Sequence, residues 1–279
     1  MLDRDSIIAS IGDLAVTPRV IRHLSVFLKD PNNDMSPAIE AMKAEPVLTA
    51  AMLAACNSPA HYRGERLLTL EAAVLRLGFR ETYRIALLVT FRQGLLIRNL
   101  PDNRHADYLW SRAVTAACAM EALSPSAEAA PIGYTIGLLH LIGCFILARN
   151  GAKMAGFDST NPAAMARAQE AACGMAFPEV GGLALQQWEF SPEIWVPIRF
   201  QQAPAEAGKF SDFAFLLSRA VALAHFIEQC RPDSPIYRPS VIGGAFTDPV
   251  VGKVEARSAE LMECFHAVPP RRPRWATLV

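Results

Sequence analysis

Between Glu128 and Arg149 the chain runs from Ala129 to Ala148 without a single charged side chain. A stretch of that length and character has two homes, a bilayer or the centre of a helical protein large enough to surround it. Pro131, Gly133, Gly137, His140 and Gly143 interrupt it, and the neighbouring segments are amphipathic. It is therefore expected as one buried central helix and not as a membrane span, and the rest of the chain must supply its cover on every side.

The flanking sequence can do so with helices alone, since apolar residues recur at spacings of three and four and almost nowhere at two. Thr17-Pro18 and Ser36-Pro37 are helix starts, with Val20, Ile21, Leu24, Phe27 and Leu28 on one face of the first and Ile39 and Met42 turned inward in the second. Pro46 opens a helix through Leu48, Met52 and Leu53 that should end at Asn57-Ser58-Pro59, the asparagine taking a left-handed cap. Thr69 can cap Leu70 to Leu77, and Gly78 should stop that helix. Further helices are expected from about Glu81 to Leu96, about Ala106 to Leu123, Pro162 to Cys173, Pro178 to Gln187, Pro192 to Gln201 and Asp212 to Gln229. No fixed period relates them, which favours an all-α, orthogonal multi-helix packing over a solenoid.

Three regions are expected: a helical lobe over residues 1–100, a larger helical lobe over 101–268 and a flexible tail over 269–279. The polar break from Leu96 to His105 marks the seam between the lobes. Arg231 to Pro249, with four prolines and Gly243-Gly244, reads as an extended loop, and Pro269 to Trp275 cannot be helical.

Composition narrows the function classes. The chain has 279 residues, 52% of them hydrophobic, and balances 27 basic against 27 acidic residues. It can bury a large core, and it has no overall field to attract nucleic acid or an anionic membrane. Arg271, Arg272 and Arg274 form only a small basic footprint, so a solvated tail is favoured over a phosphate contact. Six scattered cysteines without a CxxC pair fit reduced thiols, and Met1 to Asp5 has no secretory character, so a cytoplasmic protein is expected. Ser58, Ser111 and Ser191 have no partnered histidine, and no GxSxG, P-loop or Rossmann glycine run is present. The paired glycines, Gly181-Gly182 and Gly243-Gly244, read as helix-packing and turn positions.

Several short elements line up in order. They are Leu14 to Pro18, Glu45-Pro46-Val47-Leu48-Thr49, Asn57-Ser58 with Tyr62, Glu71-Ala72-Ala73 with Arg76-Leu77-Gly78, Leu109-Trp110, Gly137-Leu138-Leu139-His140, Glu179-Val180-Gly181 and Trp188. In that order the chain resembles the HDOD family, HD-related output domains of bacterial signalling, over most of its length. The resemblance implies an all-helical HD-like fold and a regulatory role, usually without catalysis.

The resemblance also implies where metal ligands would stand in a catalytic HD protein. The His-Asp pair falls on His140-Leu141, and leucine has no lone pair to offer an ion. The first histidine falls on Arg112, the one before the Glu-Val-Gly element on Phe177, the tandem histidines on Gln201-Gln202, and the last aspartate on His225. One ligand type of the set remains, and an arginine beside a divalent site opposes it. His140 is expected as a core histidine bonded to a carbonyl; the sharper alternative is a soft zinc or iron site from His140, Cys144, Cys173 and His225. No metal and no cofactor are expected.

The expected function is a stand-alone, non-catalytic signalling module that works by contact with other signalling proteins, with a homodimer as one possible assembly. Arg112, Gln201 and Gln202 could hydrogen-bond a small anionic or nucleotide ligand in the vestigial cleft if they converge; the alternative is polar packing. The competing function is a divergent metal-dependent phosphohydrolase with a rebuilt ligand set.

Overall fold

A computed structural model describes residues 4–13, 35–91, 103–150, 162–230 and 249–266. The expected helix from Thr17-Pro18, the seam at 96–102, the loop at 231–248 and the tail from 269 lie outside the described residues. Among those described, the structure is helical, with no strand, as the spacing predicts. The chain divides into two compact units, one made of Met1–Val16 and Arg92–Ala259, the other of Thr17–Phe91 and Glu260–Val279.

After the first helix, α1 (Arg4–Asp13), the smaller unit brings in α2 (Ser36–Lys43), α3 (Pro46–Cys56) and α4 (Leu70–Phe91), packed on one another. In α2 the inward residues are Ala38 and Met42, with Ile39 only half-buried. Pro46 begins α3, whose Leu48, Ala51, Met52, Ala55 and Cys56 are buried. Asn57 ends that helix without entering the left-handed region (φ −98°, ψ 2°). Its side chain does more than a cap would. Asn57 Nδ2 donates to Leu53 O (2.9 Å) and Leu67 O (2.8 Å), and Leu67 N donates to Asn57 Oδ1 (2.9 Å), so one amide fastens the following loop to the helix end. Thr69 caps α4 through Ala72 N (3.3 Å), and Gly78 (φ 74°, ψ 168°) breaks α4 in two, as expected of both residues.

The larger unit contains α1 (Arg4–Asp13), α5 (Asn103–Leu123), α6 (Ala129–Leu139), α7 (Ile142–Arg149), α8 (Pro162–Cys173), α9 (Phe177–Gln187), α10 (Pro192–Arg199), a short 3-10 helix (Pro204–Phe210) and α11 (Ser211–Cys230). A last helix, α12 (Pro249–His266), carries the division between units just after Ala259. Helices α1 and α12 have no counterpart among the expected elements. Ile7 and Ile11 in α1, and Val251, Val254, Ser258 and Leu261 in α12, are nevertheless buried at helical spacing, and Pro249 stands at a helix start.

The uncharged segment lies at the centre of this unit, packed by α5, α9, α10 and α11. Of the stretches long and apolar enough to cross a bilayer, Ala129–Arg149 has mean hydropathy 1.8 and is 83% buried inside the protein, as a central helix requires. The other, Pro204–Gln229, has mean hydropathy 1.4 and joins the 3-10 helix to α11 through Gly208 (φ 57°).

The expectation of one continuous central helix is corrected. The segment divides into α6 and α7 at His140 and Leu141, where Leu141 (φ −99°, ψ 7°) leaves helical geometry. Close approach explains why glycines flank the break. A Cβ on Gly137 would sit 2.6 Å from Ala116 O of α5, and one on Gly143 would sit 1.9 Å from Phe177 O at the start of α9. Gly182 is a helix-packing glycine for the same reason, since a Cβ there would fall 2.6 Å from Arg199 Cβ of α10.

Helix α1 closes the unit from the far end of the chain. Arg4 Nη2 donates to Glu179 Oε1 (2.8 Å), and Asn150 Nδ2 donates to Ser10 Oγ (2.8 Å). Helices α5 and α11 are joined across 117 positions by Ser111 Oγ, which donates to the buried Glu228 Oε1 at 2.6 Å.

Candidate functional site

The break between α6 and α7 sets the geometry of the site. Cys144 N donates to Leu141 O (2.9 Å), one residue short of helical register, so the helix leaves the carbonyl of His140 unused. Gln201, just beyond α10, supplies the missing donor: its Nε2 lies 3.0 Å from His140 O and 2.8 Å from Ile198 O. A buried carbonyl without a partner costs about 1–3 kcal/mol. Gln201→Leu is therefore expected to destabilise the protein by about 2 kcal/mol, read as a lowered urea midpoint with an unchanged slope.

His140 itself is 1% exposed, and its Nδ1 lies 2.6 Å from Gly137 O. With the proton on Nδ1, this is the carbonyl-bonded core histidine that the sequence suggests. Burial holds its pKa down to about 3; the Gly137 carbonyl opposes that shift and the charge of Arg112 adds to it. One turn on, burial pushes the Cys144 thiol up to about 12, against the Gln169 amide and the Arg112 charge. Neither group is poised to act near neutral pH, because the imidazole stays neutral and the thiol stays protonated.

Arg112, on α5, is 2% exposed and stacks over the Tyr108 ring at 5.5 Å from its centroid. Among the described residues no carboxylate lies within ion-pair distance of its guanidinium. Its charge is nonetheless felt at both His140 and Cys144. Arg112, His140, Cys144 and Gln201 thus share one interior region.

The remaining positions are placed apart or occupied otherwise. Leu141 is 1% exposed, part of the hydrocarbon core. Phe177 is buried at the start of α9, where its backbone N donates to Gln169 Oε1 at 2.9 Å. Gln202 points to solvent, away from the convergence with Gln201 that an anion clamp would need. His225 lies on α11, where Gln229 Nε2 donates to its Nε2 at 3.0 Å. Cys173 donates to Gln169 O (3.0 Å), its own helix turn. Among the described residues no three His, Cys, Asp or Glu side chains come together as a metal site would require, so the arrangement of His140, Cys144, Cys173 and His225 is not assembled.

Gln169 is the contributor that sequence reasoning missed. It holds the first residue of α9 with its Oε1 while its Nε2 lies against the Cys144 sulfur, buried and without an acceptor at bonding geometry. Nothing local in Arg167-Ala168-Gln169-Glu170 announces this, since the partner is eight residues away and in another helix.

A divalent ion of the kind HD enzymes carry does not fit these side chains. The residues that the resemblance aligns with metal ligands include a cation, a leucine, a phenyl ring and an amide whose nitrogen is already spent on two carbonyls.

A profile of the HDOD domain matches residues 14–204, more than half of the chain. The chain belongs to the HDOD family. Solved structures share the fold of this HDOD protein. A Shewanella amazonensis SB2B protein that carries a phosphohydrolase name is 21% identical, with 94% of this chain and 98% of that one covered and a TM-score of 0.66. An HDOD domain protein with unknown function from Geobacter sulfurreducens is 18% identical, with 89% of each chain covered and a TM-score of 0.59. A Marinobacter aquaeolei VT8 protein named for signal transduction is 18% identical over 89% of this chain and 57% of its own, at a TM-score of 0.61. At such identities the likeness is one of fold. No curated protein matches the chain.

Proposed function

We propose that this HDOD protein is a non-catalytic regulatory module of the cytoplasm, acting through contact with other signalling proteins. The observation that supports the reading is the burial of the residues that the family resemblance aligns with metal ligands: Arg112, Leu141, Phe177 and His140 are all in the interior. Together they replace the hard oxygen donors that phosphoester hydrolysis by divalent ions needs with a cation and hydrocarbon. Membership in a family of output domains agrees with it.

Metal analysis of the purified protein, paired with assays on phosphodiester substrates, tests the reading. The expected result is substoichiometric iron, manganese and zinc and no hydrolysis above buffer. Stoichiometric metal that disappears in His140→Ala, together with metal-dependent turnover, would establish the divergent phosphohydrolase instead.

One observation favours a ligand as well. The Arg112 guanidinium is buried with no carboxylate partner among the described residues, which is costly, and an oxyanion reaching it would offset that cost. Calorimetric titration with cyclic dinucleotides and guanosine polyphosphates tests this, with binding lost in Arg112→Met; no heat from any of them removes the ligand and leaves contact alone.

A further inference from the structure

The smaller unit exposes apolar residues in a place that the metal region does not explain. Leu68 is 80% exposed, Leu75 is 85% exposed and Tyr62 is 50% exposed. The first turns of α4 bury Leu70, Ala73 and Val74, which places Leu75 on the opposite side of the helix. Leu68 lies in the non-helical segment just before α4, next to Leu67, and Leu75 lies in the second turn of α4.

The patch is held in shape. Asn57 fixes Leu67, next to Leu68, through bonds in both directions. Arg76, next to Leu75, donates from Nη1 to Glu65 O at 2.7 Å and so draws the loop of Tyr62 to Arg66 against α4. Tyr62 N in turn donates to Ser58 O at 2.8 Å. Large apolar side chains held outward on an already ordered surface lose little further entropy when a partner covers them.

The charges around the patch select the partner. Arg63 and Arg66 are both exposed on the loop between Tyr62 and Leu68. Residues 62–80 carry four arginines against two glutamates, and Glu71, one of the two, is already engaged by Lys43 Nζ at 2.6 Å. In a chain of zero net charge this is a local positive rim around apolar anchors. An anionic membrane would also meet arginines and leucines. Here, however, the helix bearing the leucine is two turns long before Gly78 breaks it, so a lipid surface gains little depth.

We infer that the surface formed by Tyr62, Leu68 and Leu75 with Arg63 and Arg66 docks an acidic amphipathic segment of another protein, apolar anchors on the leucines and carboxylates on the arginines. This rests on the contact-based reading of function and gives it a place and a partner chemistry.

The test is site-specific photo-crosslinking in cells that make the protein, with the probe at Leu75 of the full chain and, in a parallel strain, at the half-exposed Phe215 of the larger unit. The crosslinked peptide is sequenced and then synthesised for binding to the purified chain. The expected result is a segment with apolar residues at helical spacing flanked by aspartate or glutamate. Its binding should fall at least tenfold in Leu75→Glu and in Arg63→Glu/Arg66→Glu, and should weaken with salt only while the arginines are present. Both variants should retain the thermal midpoint of the parent, since the changed side chains are exposed. A segment without acidic residues, a crosslink only to a second copy, or equal Leu75-dependent binding to anionic vesicles would overturn the proposal. A partner captured at Phe215 and none at Leu75 would overturn this surface while leaving regulation by contact intact.

Discussion

Gly143→Ala is expected to lower stability by about 3–5 kcal/mol, a fall in thermal midpoint of roughly 10 °C, despite adding a single methyl group. The added Cβ would lie 1.9 Å from Phe177 O and 2.8 Å from Gly181 N, and both are backbone atoms that no rotamer change can remove. Helix α7 would have to separate from α9, and that movement would also disturb the break at His140–Leu141. Gly252→Ala in α12 is the matched comparison. Its Cβ would meet nothing within 4 Å, so the usual helical preference for alanine should stabilise the protein by about 0.5–1 kcal/mol. Two glycine-to-alanine changes with opposite signs, followed by thermal or urea unfolding, separate close packing from a general effect of glycine. Equal small effects at both positions would show that α7 and α9 are not in the contact described.

The second large effect is a dependence of stability on pH that belongs to His140. Its pKa is about 3 in the folded protein and about 6.5 in an unfolded chain, so between those values the unfolded state takes up a proton that the folded state refuses. Above about pH 6.5 both states are neutral at this residue and its contribution is constant. As pH falls below that, stability is lost at about 1.4 kcal/mol per unit, or about 3 kcal/mol between pH 6.5 and 4.5. Arg112 is the charged group that acts on the imidazole. In His140→Asn the titrating group is gone while an amide donor can still reach Gly137 O. Urea midpoints across this range should therefore fall more steeply in the parent than in the variant. Parallel profiles would mean that His140 is not buried in its neutral form.

Much of this architecture is written in local sequence. Pro162, Pro178 and Pro192 set the starts of α8, α9 and α10 to within a residue, because a proline needs no N–H in the first turn. Thr69 and Gly78 bound their helix for equally local reasons. The break in the central segment is not local. His140 can leave helical register because Gln201, sixty-one residues away, accepts responsibility for its carbonyl, and no pattern between Ala129 and Ala148 contains that information. Asn57 shows the same limit: its type announces a helix end, but whether it caps or fastens a loop depends on where Leu67 returns.

The site divides along similar lines. That leucine, phenylalanine and arginine cannot coordinate a divalent ion follows from residue type alone. That Arg112 lies in the interior with His140 and Cys144, while Gln202 points to solvent and His225 bonds within its own helix, follows only from packing. Gln169 illustrates the remainder, since a glutamine on an amphipathic helix gives no sign that it will hold the first residue of the next one.

The attachment of α1 sets an order of events during synthesis. Arg4 leaves the ribosome 175 residues before its partner Glu179, and Ser10 precedes Asn150 by 140. At about 5–20 residues per second, that is an interval of roughly 10–35 seconds in which the first helix exists without the surface it will cover. Helices α2, α3 and α4 are made within that interval and pack on one another, whereas the end of α12 that belongs to the same unit, from Glu260 on, is made later. The nascent chain can thus pair α2, α3 and α4 before α1 meets Asn150 and Glu179, whereas each unit is completed only when the residues on either side of Ala259 have been made.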